Sequence, residues 1–428
     1  MKVGTTLDVR GQRMQVRELL GTGGEGEVFR IDGTGGQAYA LKWYHQPLAT
    51  DLRRQQIGEL IQRGAPSDSF LWPHGLIDDA TSGRFGYLMD LRPADYVGIA
   101  AVLNGKAPRH EAAVVRFSYE LAAAFRDLHI AGLCYRDINF GNAFVDAATG
   151  SALICDNDNV GIEGVGRSNV RGTPKFWAPE VAASRAMPSK YTDRYSLAVM
   201  LFYVLLAHHP LEGARTEAGL ADAEANLRHY VYDPLFCFDP ANDANRPHPD
   251  YHPHVEAYWH ALPSECRELF IRSFTDGLRE PRDRVVDSEW CGVLAAMRDH
   301  FWACETCTRP TYLGTAASDR CPHCGTDRTP PLTMKVDPNG HTIVVRPGAV
   351  VSAHHLDGNY DFDWTVGAVE AHPSNPSVLG FRNDGAGPIR YIDARGTARQ
   401  VPSGRRATLE PGVSIEIGRH TISVRSAE

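Results

Sequence analysis

The stretch Tyr135-Arg136-Asp137-Ile138-Asn139-Phe140-Gly141-Asn142 holds an acid and, five residues on, an amide; Ile154-Cys155-Asp156 adds a second acid at the end of a strand-like run. Phosphoryl transfer from a metal nucleotide needs such a set: a carboxylate near the attacking hydroxyl, then an amide and a carboxylate for Mg²⁺. A D-x-x-x-x-N pattern alone is common by chance. Its meaning depends on what lies before and after it.

Upstream, Gly21-Thr22-Gly23-Gly24-Glu25-Gly26-Glu27-Val28 reads G-x-G-x-x-G-x-V, with β-formers on both sides. Glycines let the backbone come close to phosphates and offer its N–H groups. By itself the pattern also fits a hairpin turn or a dinucleotide fingerprint. The fingerprint opens a helix, whereas Glu27-Val28-Phe29-Arg30-Ile31 reads as a strand. Ala38-Tyr39-Ala40-Leu41-Lys42-Trp43-Tyr44 follows as a strand with one lysine. Asp51 to Arg63 is helix-like, with Leu52, Ile57, Leu60 and Ile61 as an apolar stripe and Glu59 as its one glutamate. Phe85 to Leu91 reads as a further buried strand, and Glu111 to Ile130 as a long helix that delivers the chain to Cys134 and Asp137.

Taken in order, these pieces resemble protein kinases. The loop resembles H-R-D-x-x-x-x-N with Tyr135 in the His place, and the lysine strand resembles V-A-I-K. Gly172-Thr173-Pro174-Lys175-Phe176-Trp177-Ala178-Pro179-Glu180 resembles G-T-x-x-Y-x-A-P-E of serine/threonine kinases. Asp193-Arg194-Tyr195-Ser196-Leu197 resembles the D-x-W-S-L start of their central helix, and Arg284 matches the late arginine that pairs with Glu180. The resemblance implies a two-lobed fold with ATP and Mg²⁺. Gly21, Gly23, Gly26 and Val28 would cover the phosphates, Lys42 would hold them, and Glu59 would pair with Lys42. Met89, Asp90 and Leu91 would form the back of the pocket and the hinge. Asp137 would be the catalytic base, Asn142 and Asp156 the Mg²⁺ ligands, and Asp193 the cap of the catalytic-loop backbone. Thr173 would bond Asp137.

Two departures stand out. The D-F-G triplet is Asp156-Asn157-Asp158, which makes Asp158 an alternative metal ligand; Asp156 is preferred because it ends the strand. Asn139 stands where serine/threonine kinases carry a lysine that neutralises the transferring group. Ser168 is the expected autophosphorylation site, opposite Arg136. Residues 238–260 read as an insertion whose His248, His252 and His254 fit a solvated loop better than a metal site.

With 428 residues the chain has room for two or three cored domains. A net charge of −8 gives no global basic signature for nucleic acid or an anionic membrane. The Met1-Lys2-Val3-Gly4 start lacks a signal-peptide core, and the apolar run Leu197 to Ala207 is too short to span a bilayer. Four of the nine cysteines form two C-x-x-C pairs and the rest are scattered, which suits a reducing cytosol and one metal site. The expected location is cytoplasmic.

Cys304, Cys307, Cys321 and Cys324 form C-x2-C-x13-C-x2-C, a zinc-ribbon pattern, with a redox role as the alternative. After Thr329-Pro330-Pro331, short strands alternate with turns: His341 to Val345, Val378 to Phe381, Ile389 to Ile392, Ala407 to Leu409, Val413 to Ile417 and His420 to Val424. They predict a small all-β sandwich. Its end, Leu409 to Gly418, resembles the last strands of forkhead-associated domains, while Ser352-Ala353-His354-His355 matches their S-x-x-H by letters only. The expected class is α+β, with a kinase domain over 1–300 (N-lobe about 1–91, C-lobe about 92–300), a ribbon over 301–328 and a sandwich over 335–428. The order of these parts, with Tyr135 to Asn142 and Ile154 to Asn159, resembles the kinase-like proteins of bacterial tellurite-resistance and stress gene clusters. That resemblance implies a von Willebrand factor A-domain partner and a metal-dependent protein phosphatase. The reading is a serine/threonine protein kinase acting on a protein substrate. Its rivals are a pseudokinase scaffold recruiting partners through the ribbon and sandwich, and a kinase-fold enzyme with a small-molecule acceptor.

Overall fold

β-Branched and aromatic residues on either side of the glycine turn build the first sheet. The computed structural model describes all residues except 10, 80–81, 164–173, 218–222, 315–319 and 427–428. It divides into two compact units, residues 1–252 with 268–291 and residues 253–267 with 292–428. The first unit opens with β1 (Thr6–Val9), β2 (Gln12–Thr22), β3 (Gly26–Gly33), β4 (Ala38–Tyr44), β5 (Gly75–Asp79) and β6 (Arg84–Asp90). They form an antiparallel sheet in the order β1-β2-β3-β4-β6-β5. Val16, Phe29, Ile31, Leu41, Trp43 and Leu88 share its core. The register sets Lys42 opposite Val28 on one side and Tyr87 on the other. At Gly26 a Cβ would stand 2.4 Å from the Trp43 carbonyl oxygen, so only glycine lets β3 start this close to β4.

Helix α1 (Asp51–Arg63) starts where the Thr50 hydroxyl accepts the Arg53 N–H at 3.2 Å, and it stops at Gly64, whose φ is 76°. Ile57 and Leu60 of the expected stripe are buried, while Leu52 is exposed. The chain continues through β7 (Tyr96–Gly98), α2 (Ile99–Leu103), α3 (Glu111–Ile130), β8 (Leu133–Cys134), β9 (Ala143–Asp146), β10 (Ala152–Ile154), β11 (Gly161–Ile162), α4 (Pro179–Ala182) and α5 (Lys190–Leu206). In α3 the apolar spacing is realised: Val114, Phe117, Leu121, Ala124, Phe125 and Leu128 are all buried. Helix α5 is capped by the Ser189–Thr192 box and is apolar on nearly every side, because protein packs all around it. Among the described residues no helix is long and apolar enough to cross a membrane.

In the second unit, Phe301–Ala303 pairs with Pro310–Tyr312, between which lies the first C-x-x-C turn. Two antiparallel sheets follow, of six and four strands. Met334, Val336, Val351, Val369, Phe381, Ile415, Ile422 and Val424 belong to one shared core. All six anticipated β segments contain strand residues. The strands Leu332–Asp337, Val350–Ser352, Thr365–His372 and Ala398–Val401 are additional. Thr365–His372 is hard to read because Gly367 interrupts its β-formers. A Cβ there would meet the Phe381 ring at 2.1 Å, so the glycine serves the core. Ser352 and His355 are buried and bond each other: His355 Nδ1 accepts the Ser352 N–H at 2.9 Å. This S-x-x-H pair caps a short helix and does not present its hydroxyl to a ligand.

Candidate active site

The Tyr135–Asn142 loop is hung from the start of α5. Asp193 Oδ2 accepts the Tyr135 N–H at 2.6 Å, and Oδ1 accepts the Arg136 N–H at 2.9 Å. This double acceptance holds Arg136 in a left-handed conformation with φ 77°. Asp137 follows, half-buried. Asn142 Nδ2 donates to the Asp137 carbonyl at 3.0 Å and lies 3.4 Å from its carboxylate. The β9–β10 ladder then sets Asp156: the Cys155 N–H donates to the Asn142 carbonyl at 2.9 Å, and Asp156 leaves the strand with φ 58°. Tyr135, in the His place, is buried, and its hydroxyl donates to the Cys155 carbonyl.

A cleft of about 480 Å³ opens above this loop. Gly21, Gly23, Gly26, Val28, Lys42, Met89, Asp90, Leu91, Asn142 and Asp156 all line it. Glu59 is the exception and is a correction to the sequence reading. It sits on the exposed face of α1 and accepts a hydrogen bond from Gln55 Nε2 at 3.0 Å. The carboxylates on Lys42 Nζ are instead Asp158 at 2.9 Å, Glu25 at 3.3 Å and Asp156. Helix geometry explains the miss: Glu59 follows Ile57 and precedes Leu60, the two buried positions, and points away from them. Burial and the charge of Asp158 push Asp156 up to about 6, against the pull of Lys42. Burial also works against ionised Asp158, yet Lys42 and the Tyr44 hydroxyl hold it below the usual carboxylate range. Asp158 is sealed by these partners, while Asp156 keeps a side chain one-third exposed toward the cleft. That separation favours Asp156 over Asp158 as the group facing a metal.

Residues 14–270 match the protein kinase domain family. The chain belongs to that family. It is 28% identical over 244 residues to Ribosomal protein S6 kinase alpha-4 of Mus musculus, covering 51% of this chain and 29% of that protein. It is 26% identical over 225 residues to Serine/threonine-protein kinase pkn3 of Myxococcus xanthus, covering 49% of this chain and 40% of the relative. The chain thus spans less than half the length of either. The solved autoinhibited serine kinase domain of the giant muscle protein titin superposes with a TM-score of 0.51 at 15% identity, over 67% of this chain and 80% of that one. At that identity the likeness is one of fold.

Within the kinase domain, Glu180 is gripped by Arg284 through two bonds of 2.7 and 2.9 Å, and the arginine is buried. Both departures have a structural use. Asn139 Nδ2 donates to the Asp137 carbonyl at 3.1 Å and its oxygen accepts the Gly141 N–H at 2.8 Å, so it braces the loop but brings no cation. Asn157 is buried, and its amide donates to the Leu71 and Ile154 carbonyls at 2.8 and 3.1 Å. Thr173 and Ser168 lie outside the described residues.

The sequence reading also passed over His129, at the end of α3. Its ring bridges Asp287 at 2.9 Å and Asp193 at 3.3 Å, and Arg194 also reaches Asp287 at 3.4 Å. Burial alone would lower its pKa, but hydrogen bonds to the two aspartates raise it to about 9 from 6.5. A cation with a raised folded pKa stabilises fully below its unfolded value and loses that contribution as pH rises through the folded one. Denaturant unfolding of the full chain is therefore expected to show stability falling between pH 6.5 and 9, by on the order of 3 kcal/mol. His129→Gln should remove most of this slope; an unchanged slope in that variant would rule out His129 as its source.

In the second unit the four cysteines meet. Cys304 and Cys324 sulfurs are 3.9 Å apart, Cys307 and Cys321 are 3.8 Å apart, and all four lie within 4.8 Å of one another. The two turns are built alike. The Thr308 N–H donates to the Cys304 carbonyl and the Gly325 N–H to the Cys321 carbonyl, both at 2.8 Å, and both residues have positive φ. Four thiolates about 2.3 Å from one tetrahedral ion would stand about 3.8 Å apart, so the set fits zinc. Asp299, His341 and His354 form another cluster within 4.8 Å. There His354 Nδ1 accepts the Tyr360 N–H at 3.2 Å, which leaves the proton on Nε2, and His355 Nε2 is spent on Asp299 at 3.1 Å. This is a hydrogen-bonded joint.

Proposed function

We propose that the chain is a serine/threonine protein kinase that transfers the ATP γ-phosphate to protein hydroxyls, its own among them. The observation that carries this is that Lys42, Asn142 and Asp156 line one cleft beneath the glycine turn, with the Asp137 carboxylate 3.4 Å from Asn142 Nδ2. Lys42 would hold nucleotide phosphates, and Asn142 with Asp156 would hold Mg²⁺. The ion when bound neutralises charge on the phosphate oxygens. Asp137 orients the acceptor hydroxyl and takes its proton, while Asp193 keeps the loop rigid, so catalysis is chiefly positioning. Asn139 gives a specific reason to weigh a nucleotide-binding scaffold, because the loop lacks the usual cation. In the finer reading, the cysteine set is a structural zinc ribbon. The resemblance to tellurite-resistance and stress clusters supports a role in bacterial stress signalling beside a von Willebrand factor A-domain protein and a metal-dependent phosphatase.

The deciding experiment is the intact mass of the purified full chain before and after incubation with Mg-ATP. Gains of phosphate size are expected. No gain, with Mg-ATP binding shown separately, would replace the kinase by the scaffold.

A further inference from the structure

We infer that Asp158 is the anion that positions Lys42 in this kinase, and that Arg53 ties α1 to it in place of a helix glutamate. The inference rests on the kinase reading and deepens it. In kinases generally the strand lysine is paired by a glutamate of the following helix. Here the helix glutamate, Glu59, is exposed and bonded to Gln55. Asp158 takes the role from the segment after β10. Its side chain is fully enclosed, and Lys42 Nζ is 2.9 Å from Oδ1. Its second oxygen accepts the Tyr44 hydroxyl and lies 3.5 Å from Arg53. An enclosed carboxylate is tolerated only when its oxygens are met by charge and hydrogen bonds, and these are.

Arg53 also donates to Glu25 at 2.9 Å, and Glu25 reaches Lys42 at 3.3 Å. The usual polarity is therefore reversed. The helix contributes a cation, and the anions come from the segment after β10 and from the glycine turn. Movement of α1 would reach Lys42 through Arg53, not through a direct helix-to-lysine pair. Asp158 stands where the triplet would carry glycine, so that one substitution supplies the anion that the displaced glutamate would bring; Asn157 replaces the phenylalanine separately.

The test compares Asp158→Asn, Arg53→Met and Glu59→Gln in the full chain with two readouts. One is the dependence of phosphoryl transfer on Mg-ATP, split into kcat and KM. The other is the rate at which a small amine reagent modifies Lys42, read by peptide mass, which needs no activity. Loss of a charged hydrogen bond predicts a fall in kcat/KM of about 30-fold for Asp158→Asn and labelling of Lys42 at least about 5-fold faster. Arg53→Met should move both the same way by less, and Glu59→Gln should leave both within about 2-fold. If Asp158→Asn does not fold, Tyr44→Phe should still speed the labelling, and no change there counts against the pairing. Glu59→Gln matching Asp158→Asn would overturn it. A wild type without transfer, whose Lys42 labelling still answers to Asp158 and not to Glu59, would remove the kinase reading and keep the pairing.

Discussion

Asp137→Asn is expected to lower phosphoryl transfer by about 10³-fold while Mg-ATP affinity stays within a few-fold. The substitution keeps the shape of the side chain and removes its charge and its ability to take a proton. The loop around it should hold, because its supports lie elsewhere. Asp193 accepts two backbone N–H groups at 2.6 and 2.9 Å, and Asn139 and Asn142 both donate to the Asp137 carbonyl, not chiefly to its carboxylate. The nucleotide cleft is lined by Lys42, Asn142 and Asp156 and not by Asp137. The effect should therefore fall on kcat. Single-turnover transfer measured beside nucleotide titration separates the two quantities. Equal loss of binding and rate would mean that Asp137 shapes the cleft; an undiminished rate would mean that it is not the base.

Much of the fold was legible because its signals are local. The glycine turn, the lysine strand, the α3 stripe from Val114 to Leu128 and the Asp193 cap each show in a short window of text. Glu59 was misread for a related reason. Residue type and sequence order named the one glutamate on the helix, but which face of α1 turns inward is settled by Ile57 and Leu60 together with the sheet beneath them. Asp158, Tyr44 and Arg53 lie 114 and 105 positions apart along the chain, and only the folded unit brings them together. The three acids Glu25, Asp156 and Asp158 were all visible. Their division of labour was not, since it follows from one being sealed beneath Lys42 and another facing the cleft. His129 gave no motif. Its role depends on two aspartates, 64 and 158 residues further on.

Removal of zinc is expected to unfold the cysteine-bearing segment. The full chain purified without chelator should carry one zinc, and a strong chelator should remove it with loss of hydrogen-exchange protection across the described residues of 301–328. The reason is that the regular structure among its described residues is short. The first turn is flanked by the three-residue strands Phe301–Ala303 and Pro310–Tyr312, the second by the single bridge of Arg320 with Asp327, and Glu305, Thr306 and Cys324 are exposed. Metal binding in such small sites contributes about 10–16 kcal/mol of apparent folding free energy, far more than two short strands can. Cys304→Ser and Cys321→Ser, one from each turn, should behave alike, each losing the metal. Protection that survives chelation, or one cysteine proving dispensable while the other is not, would mean that the segment is held by its hydrogen-bonded turns and that the four sulfurs serve another chemistry.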